Sequence, residues 1–79
     1  MTKPKVSIYS QPGWHFCSLE KVWLSEQGIE FEDHDIIKDP KALDELQELG
    51  FFTTPVTLIG KDIVVGFDRK KLQDLLGFE

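Results

Sequence analysis

The sequence predicts an α/β protein in which helices cover both faces of a four-stranded mixed sheet. Three observations lead to this fold class. Short runs of β-branched and aromatic residues are bounded by glycine and proline, which is typical of strands. Longer stretches without glycine or proline carry apolar residues at helical spacing. These segments alternate in the order β-α-β-α-β-β-α, which indicates one domain over residues 1–79.

The first strand is predicted at residues 6–9, where large side chains alternate with a small one before a Ser-Gln-Pro-Gly turn. The first helix is predicted over about residues 15–27, and Gly28 ends it. Its inward face is predicted from apolar residues at near-helical spacing, namely Phe16, Leu19, Val22 and Trp23. A loop therefore connects the end of a strand directly to the start of a helix.

The second strand is predicted over residues 29–37, with one polar face formed by Glu30, Glu32 and His34. The second helix begins after Asp39, whose side chain can cap it, and Pro40 suits its first position. Gly50 ends this helix. Its apolar stripe is predicted to consist of Ala42, Leu43, Leu46 and Leu49.

The last three elements are a hairpin and a helix. Residues 55–59 and 63–65 flank a Gly-Lys-Asp turn, which predicts two antiparallel strands. Asp68 is predicted to cap the last helix, whose inward residues are Leu72, Leu75 and Leu76. The first βαβ unit is predicted to be parallel because a helix connects its two strands.

Composition excludes several classes of protein. A single cysteine excludes an intramolecular disulfide framework. No segment approaches the roughly 20 apolar residues that cross a bilayer, and none resembles a signal peptide, so we expect a cytoplasmic protein without a membrane partner. The net charge of −5 argues against nucleic acid as a partner. One cysteine and two histidines without ligand spacing predict no metal site.

Charge is unevenly distributed along the chain. Residues 26–48 hold nine acidic side chains but only two lysines, whereas the remainder is slightly basic and includes the run Arg69-Lys70-Lys71. We interpret the acidic segment as a solvated face. The alternative is a non-catalytic module in which residues 26–48 dock a basic partner.

Three motifs lie at the ends of predicted elements. The first is the loop before the first helix, Ser10-Gln11-Pro12-Gly13-Trp14-His15-Phe16-Cys17, the second is Thr53-Thr54-Pro55-Val56, and the third is Val65-Gly66-Phe67-Asp68. Together, in this element order, they resemble the glutaredoxin-like redoxins. This family includes the small NrdH-type proteins that donate electrons to ribonucleotide reductase. The resemblance covers almost the whole chain and implies a thioredoxin fold and a role in thiol–disulfide chemistry.

The resemblance also implies a substrate groove and its ligands. Pro55 is expected to follow a cis peptide bond, with the backbone before it pairing with a bound peptide or with glutathione. Asp68 occupies a position where relatives often touch the γ-glutamyl end of glutathione, although Arg69 stands where many of them carry a second acid. The implied lining residues are Pro12, Gly13, Trp14, His15, Phe16, Thr54, Pro55, Gly66, Phe67 and Asp68.

The implied partners are a disulfide-containing or peptide-like protein and glutathione. No other cofactor is expected. We expect a monomer rather than a dimer, although an exposed tryptophan at position 14 is able to mediate dimers.

One position departs from the family pattern. Redoxin chemistry needs Cys-x-x-Cys at the start of a helix, because the helix N-terminus favours an exposed thiolate and the second thiol resolves the mixed disulfide. Here the four residues read Trp14-His15-Phe16-Cys17. Indole forms no disulfide, so the resemblance places Trp14 where the nucleophile belongs. We therefore predict that the standard dithiol cycle is absent.

Alternatives stay open at this site. Cys17, at the resolving position, is interpreted as a half-buried, inert residue; the alternative is a lone thiol that supports slow glutathione-dependent monothiol chemistry. Trp14 either fills the space of the lost nucleophile or is an exposed anchor for a partner. His15 and His34 are predicted to be solvated.

Overall fold

The computed structural model of the protein describes residues 5–77, and within them lie four strands and three helices. The strands are β1 (Val6–Ser10), β2 (Glu32–Asp35), β3 (Val56–Ile59) and β4 (Asp62–Val65). The helices are α1 (His15–Glu26), α2 (Pro40–Glu48) and α3 (Arg69–Leu76). The element order is the predicted one.

The strands form one mixed sheet in the order β2-β1-β3-β4. β1 pairs in parallel with β2, whereas the β1–β3 and β3–β4 pairs are antiparallel. The parallel pair is connected through α1, as a parallel pair requires a crossover. This arrangement confirms the predicted fold class.

The core is divided between the two faces of the sheet. On one face, Trp23 and Leu24 of α1 pack with Leu72 of α3 and with Val6, Ile59 and Val64 of the sheet. On the other face, Ala42 and Leu46 of α2 pack with Tyr9 and Val56. α1 and α3 therefore share one face, and α2 covers the other.

Two predicted helix caps are present. The Asp39 side chain accepts a hydrogen bond from the Lys41 amide at 3.1 Å, and Pro40 is the first residue of α2. The Asp68 side chain accepts one from the Lys71 amide, also at 3.1 Å. Each aspartate thus satisfies one backbone donor that the helix itself leaves unpaired.

The second strand is shorter than predicted. It covers residues 32–35 rather than 29–37 because β1, its pairing partner, ends at Ser10, opposite Asp35. The Asp35 side chain then accepts hydrogen bonds from the amides of Ile37 and Lys38, which turns the chain away from the sheet.

The predicted inward face of α1 is largely wrong. Of its four residues only Trp23 is buried, whereas Phe16, Leu19 and Val22 are exposed; Cys17, Glu20 and Leu24 face the sheet instead. The exposed set and the buried set both have helical spacing. Packing against the sheet determines that Cys17, Glu20 and Leu24 are the buried ones. Leu49 is also exposed, because α2 ends at Glu48 and its buried residues are Ala42 and Leu46.

Candidate functional site

Strand register brings the three predicted motifs to one edge of the sheet. Tyr9, next to the end of β1, pairs with Val56 at the start of β3, and Val56 pairs with Val65 at the end of β4. The loop after β1, the segment before β3 and the segment after β4 therefore begin side by side.

A hydrogen bond joins two of these segments. The Gly66 amide donates to the Pro55 carbonyl at 2.8 Å, and the Thr54–Pro55 peptide bond is cis. Gly66 has φ of +78°, a conformation that favours glycine. Among residues 5–77, neither the amide nor the carbonyl of Thr54 has a hydrogen-bond partner. Thr54 as a residue is 8% exposed, and it lies directly before Pro55 in the second predicted motif.

The loop after β1 leads into α1, whose start is not capped by any side chain. Trp14 is the N-cap residue; its amide bonds to the Gln11 carbonyl and its carbonyl accepts from the Ser18 amide. Its indole ring has only an N–H donor and therefore satisfies no amide of the first turn. Aspartate side chains cap the first turns of α2 and α3. Among the described helices, α1 alone therefore has no side-chain cap for the amides of its first turn, which can donate to an incoming acceptor.

Trp14 and Cys17 have opposite environments. The Trp14 residue is 48% exposed, so it does not fill a buried space, whereas Cys17 is 1% exposed and faces the sheet. The prediction that Cys17 is half-buried was therefore an underestimate. The neighbours of Trp14 in the loop and first turn are all exposed: Pro12, Gly13, His15 and Phe16. His15 is exposed as predicted, but it is the first residue of α1 rather than a loop residue.

The segment after β4 forms the third side of the site. Phe67 is partly buried, and its ring meets the Trp23 ring edge-on with centroids 5.9 Å apart. The Arg69 guanidinium lies over the same indole at 5.9 Å. Asp68 is exposed, although one of its oxygens is already bonded to the Lys71 amide. One Asp68 oxygen thus remains for a ligand.

Sequence reasoning missed a buried carboxylate behind the site. Glu20 lies one turn after Cys17 on the same face of α1 and is fully buried. The Thr57 hydroxyl donates to Glu20 Oε2, while Oε1 is the one buried side-chain oxygen without a hydrogen-bond partner within residues 5–77. Burial raises the pKa of Glu20 to about 7, against a smaller lowering effect from the Thr57 hydrogen bond. No sequence signal indicates that Glu20 is buried. Phe16, Leu19 and Val22 make the outer face of α1 a better match to the apolar pattern of an inward face.

A second polar cluster connects α1 to two strands. Asp33 of β2 accepts from the Ser10 hydroxyl at 2.6 Å and from Lys21 Nζ at 2.8 Å. Burial acts to raise the pKa of Asp33, but the hydrogen bonds from Lys21 and Ser10 and the nearby positive charge outweigh it and lower the pKa. This cluster links Lys21 of α1 to β1 and β2.

His34 is partly buried, in contrast to the prediction that it is solvated. Its ring stacks on Tyr9 with centroids 5.1 Å apart, and Nε2 lies 3.4 Å from a Glu32 oxygen. The stacking arises because Tyr9 and His34 are directly paired across β1 and β2.

Two classes of feature are absent from the part of the chain that the structure describes. It contains no group of three or more histidine, cysteine or acidic side chains that could hold a metal ion. None of its helices is both long and apolar enough to span a membrane.

Comparison with known proteins adds independent information. The family model described as Glutaredoxin matches residues 6–64. The glutaredoxin-like protein NrdH of Lactococcus lactis is 31% identical over 70 residues, which is 89% of this chain and 97% of that protein. Among solved structures, the thioredoxin-like protein BC3987 has a TM-score of 0.86 and 33% identity, with 91% of this chain and 100% of the other covered.

Longer proteins are also similar. The global transcriptional regulator Spx 1 of Bacillus cereus is 30% identical over 70 residues, which is 89% of this chain but 50% of the regulator. The chain thus spans about half the length of these relatives.

Proposed function

The chain belongs to the glutaredoxin family, and on that basis we propose that it keeps the family's ligand groove but has lost thiol–disulfide exchange. The observation that carries this proposal is the contrast between the environments of Trp14 and Cys17 at the start of α1. Trp14, which the resemblance aligns with the nucleophilic cysteine, is exposed at the start of α1, and the single cysteine, Cys17, is buried. An indole has no thiol that could attack a disulfide.

Backbone geometry supports binding of an extended peptide in this groove. The amide and carbonyl of Thr54 form no hydrogen bond within the described residues. An extended segment that pairs with them gains two main-chain hydrogen bonds, as in other cases of strand addition. Trp14 lies at the adjacent loop and supplies an exposed aromatic surface for a side chain of that peptide.

Glutathione is the small ligand that fits the same chemistry. Its cysteinyl backbone has the extended form that pairs with Thr54, and its γ-glutamyl amino group is a cation suited to the free oxygen of Asp68. The ligand therefore binds without covalent chemistry in this proposal.

Two other functions have less support. Slow monothiol chemistry through Cys17 requires an accessible sulfur, and burial of Cys17 weighs against it. Docking of a basic partner by the acidic residues 26–48 requires free carboxylates. However, Lys5 lies 3.4 Å from Glu32, and Lys21 lies 2.8 Å from Asp33, so part of this acidic charge is already neutralised.

The substitution Trp14→Cys tests the proposal. It recreates the Cys-x-x-Cys spacing at the uncapped start of α1, so we expect it to confer disulfide reductase activity. The assay is reduction of hydroxyethyl disulfide by glutathione, coupled to glutathione reductase and followed as loss of NADPH. The unsubstituted protein is expected to stay at the rate measured without protein.

Two variants separate the causes of any gain. Trp14→Ser removes the indole without adding a thiol and is expected to stay inactive. Trp14→Cys combined with Cys17→Ser tests whether a gained activity needs both sulfurs. An unsubstituted protein that already turns over as fast as the Trp14→Cys variant contradicts the proposal.

A further inference from the structure

The outward face of α1 carries an unpartnered apolar stripe. Phe16, Leu19 and Val22, here called the outer stripe, are 52%, 40% and 58% exposed. Their spacing of three residues makes them neighbours along one side of the helix. Single exposed apolar residues need no explanation, but a continuous row of them marks an interaction surface.

The orientation of α1 makes this exposure costly. The helix buries the Glu20 carboxylate against the sheet, although its outer stripe is apolar enough to serve as the inward face. Three of the four buried residues of α1 are apolar, so local sequence and global fold disagree at Glu20, while three further apolar side chains stay outside. Such conflicts are expected where a surface serves a function other than folding.

Positive charge lies beside the stripe. Trp23 follows Leu19 by one turn, and the Arg69 guanidinium is held over its ring. Arg69, Lys70 and Lys71 are all exposed, and none of them forms a salt bridge within residues 5–77. Along α1 itself, the exposed positions before Glu26, its last residue, carry no acidic side chain.

We propose that the outer stripe and Arg69 form a docking surface for an acidic amphipathic helix of another protein. Apolar side chains of that helix pack between Phe16, Leu19 and Val22, and its carboxylates pair with the guanidinium of Arg69. Helices with apolar anchors three and four residues apart bind such surfaces. Phe16 and Arg69 border the proposed groove, whereas Leu19 and Val22 lie further along α1, so the surface extends what the protein binds beyond the Thr54 backbone and Asp68.

Charge disfavours a second copy that packs its own α1 on this surface. If two copies packed α1 against α1, each stripe would meet another stripe without carboxylates along its first three turns. The Arg69 guanidinium would then gain no acidic partner. A basic partner is disfavoured for the same electrostatic reason, since it would approach three unpaired cations.

Three synthetic peptides of about 18 residues test the proposal, a length chosen because shorter isolated helices are marginal in water. One has leucines spaced three and four residues apart with glutamates on both flanks, the second replaces glutamate by lysine, and the third scrambles the first. Binding is measured by isotope-edited NMR titration of the full chain. We expect the glutamate peptide to bind at least about tenfold more tightly than the other two, with weaker binding at higher salt and shifts at the outer stripe.

Variants outside the groove decide which surface is used. Leu19→Gln combined with Val22→Gln is expected to weaken binding about tenfold or more, and Arg69→Gln severalfold. Ile37→Gln is the control for loss of an exposed apolar side chain, because Ile37 is 64% exposed and lies after β2 instead of on α1. The proposal is overturned if all three peptides bind equally, or if the NMR shifts lie away from α1. It is also overturned if sedimentation shows a dimer whose formation depends on Leu19 and Val22.

Discussion

The Thr57 hydroxyl of β3 donates a hydrogen bond to Glu20 Oε2 of α1 in the interior of the protein. It joins the helix that begins at the groove to the strand that follows Pro55. The second carboxylate oxygen, Oε1, has no hydrogen-bond partner within residues 5–77. A buried carboxylate with one donor is poorly stabilised as an anion, which is the reason that burial raises its pKa to about 7.

Stability is expected to fall as pH rises through the range in which Glu20 ionises. Its pKa is raised from 4.5 to about 7 in the folded protein, so the folded state binds the proton more tightly than the unfolded state does. The stabilisation that comes from the tighter proton binding of Glu20 in the folded state is fully present below pH 4.5 and is lost by about pH 7. It amounts to about 3 kcal/mol, at roughly 1.4 kcal/mol per pKa unit. Urea unfolding across this range measures it.

The variant Glu20→Gln isolates this effect, because glutamine keeps the shape but does not ionise. Its free energy of unfolding is expected to lose the decline between pH 4.5 and 7 and to exceed that of the unsubstituted protein at pH 8 by about 1–3 kcal/mol. An unchanged pH slope in the Glu20→Gln protein would show that other groups cause the decline.

Removal of the Thr57 hydroxyl is expected to destabilise the protein. Thr57→Val leaves the Glu20 carboxylate without its one donor, at a cost of about 1–3 kcal/mol. It also removes the interaction that lowers the pKa of Glu20, so the pH range of the decline moves upward. Thr57→Ser keeps the hydroxyl and serves as the control. Denaturation of both variants at pH 5 and pH 8 checks the prediction; equal losses in the two would contradict it.

The Asp33 cluster is expected to act at the acidic end of the pH range. Its folded pKa is lowered from 3.8, so its stabilisation is present above pH 3.8 and is lost as pH falls through the folded value. Asp33→Asn is expected to cost about 1 kcal/mol at neutral pH, with the difference vanishing in acid. Asp74→Asn, at an exposed position of α3, is the control and should change little. A cost of Asp33→Asn that persists in acid would argue against an ionic origin.

Asp39 and Asp68 form a matched pair that separates capping from ligand binding. Both cap a helix through one hydrogen bond of 3.1 Å, so replacing either by alanine is expected to cost about 1 kcal/mol of stability. Asp68 alone lies at the groove, and Asp68→Ala alone is expected to weaken binding of reduced glutathione. Thermal unfolding and NMR titration measure the two effects. Equal affinity for glutathione in both variants would remove Asp68 from the proposed groove.

Much of the fold could be predicted from local signals in the sequence. Asp39 before Pro40, Asp68 before the last helix and the turn at Gly60 each fix a boundary through short-range chemistry, so their elements lie where the pattern indicates. The second strand could not be delimited in this way. Its end depends on where its partner, β1, stops at Ser10.

The inward face of α1 could not be predicted for a related reason. Apolar periodicity favours Phe16, Leu19 and Val22, and nothing local indicates that Glu20 lies inside. The hydroxyl that makes its burial tolerable comes from Thr57, which is 37 residues away in the chain. The positions of the groove residues, in contrast, follow from element order, because the three motifs lie at strand ends that meet at one edge.

Accessibility of the Cys17 thiol tests the central claim most directly. The folded protein is incubated with oxidised glutathione near neutral pH, and its intact mass is measured before and after denaturation with a thiol-labelling reagent. Because Cys17 is buried and no other thiol is present, we expect an unmodified mass for the folded protein and complete labelling of the unfolded one. A single stoichiometric glutathione adduct on the folded protein would contradict the loss of thiol–disulfide exchange and would make Cys17 a working monothiol.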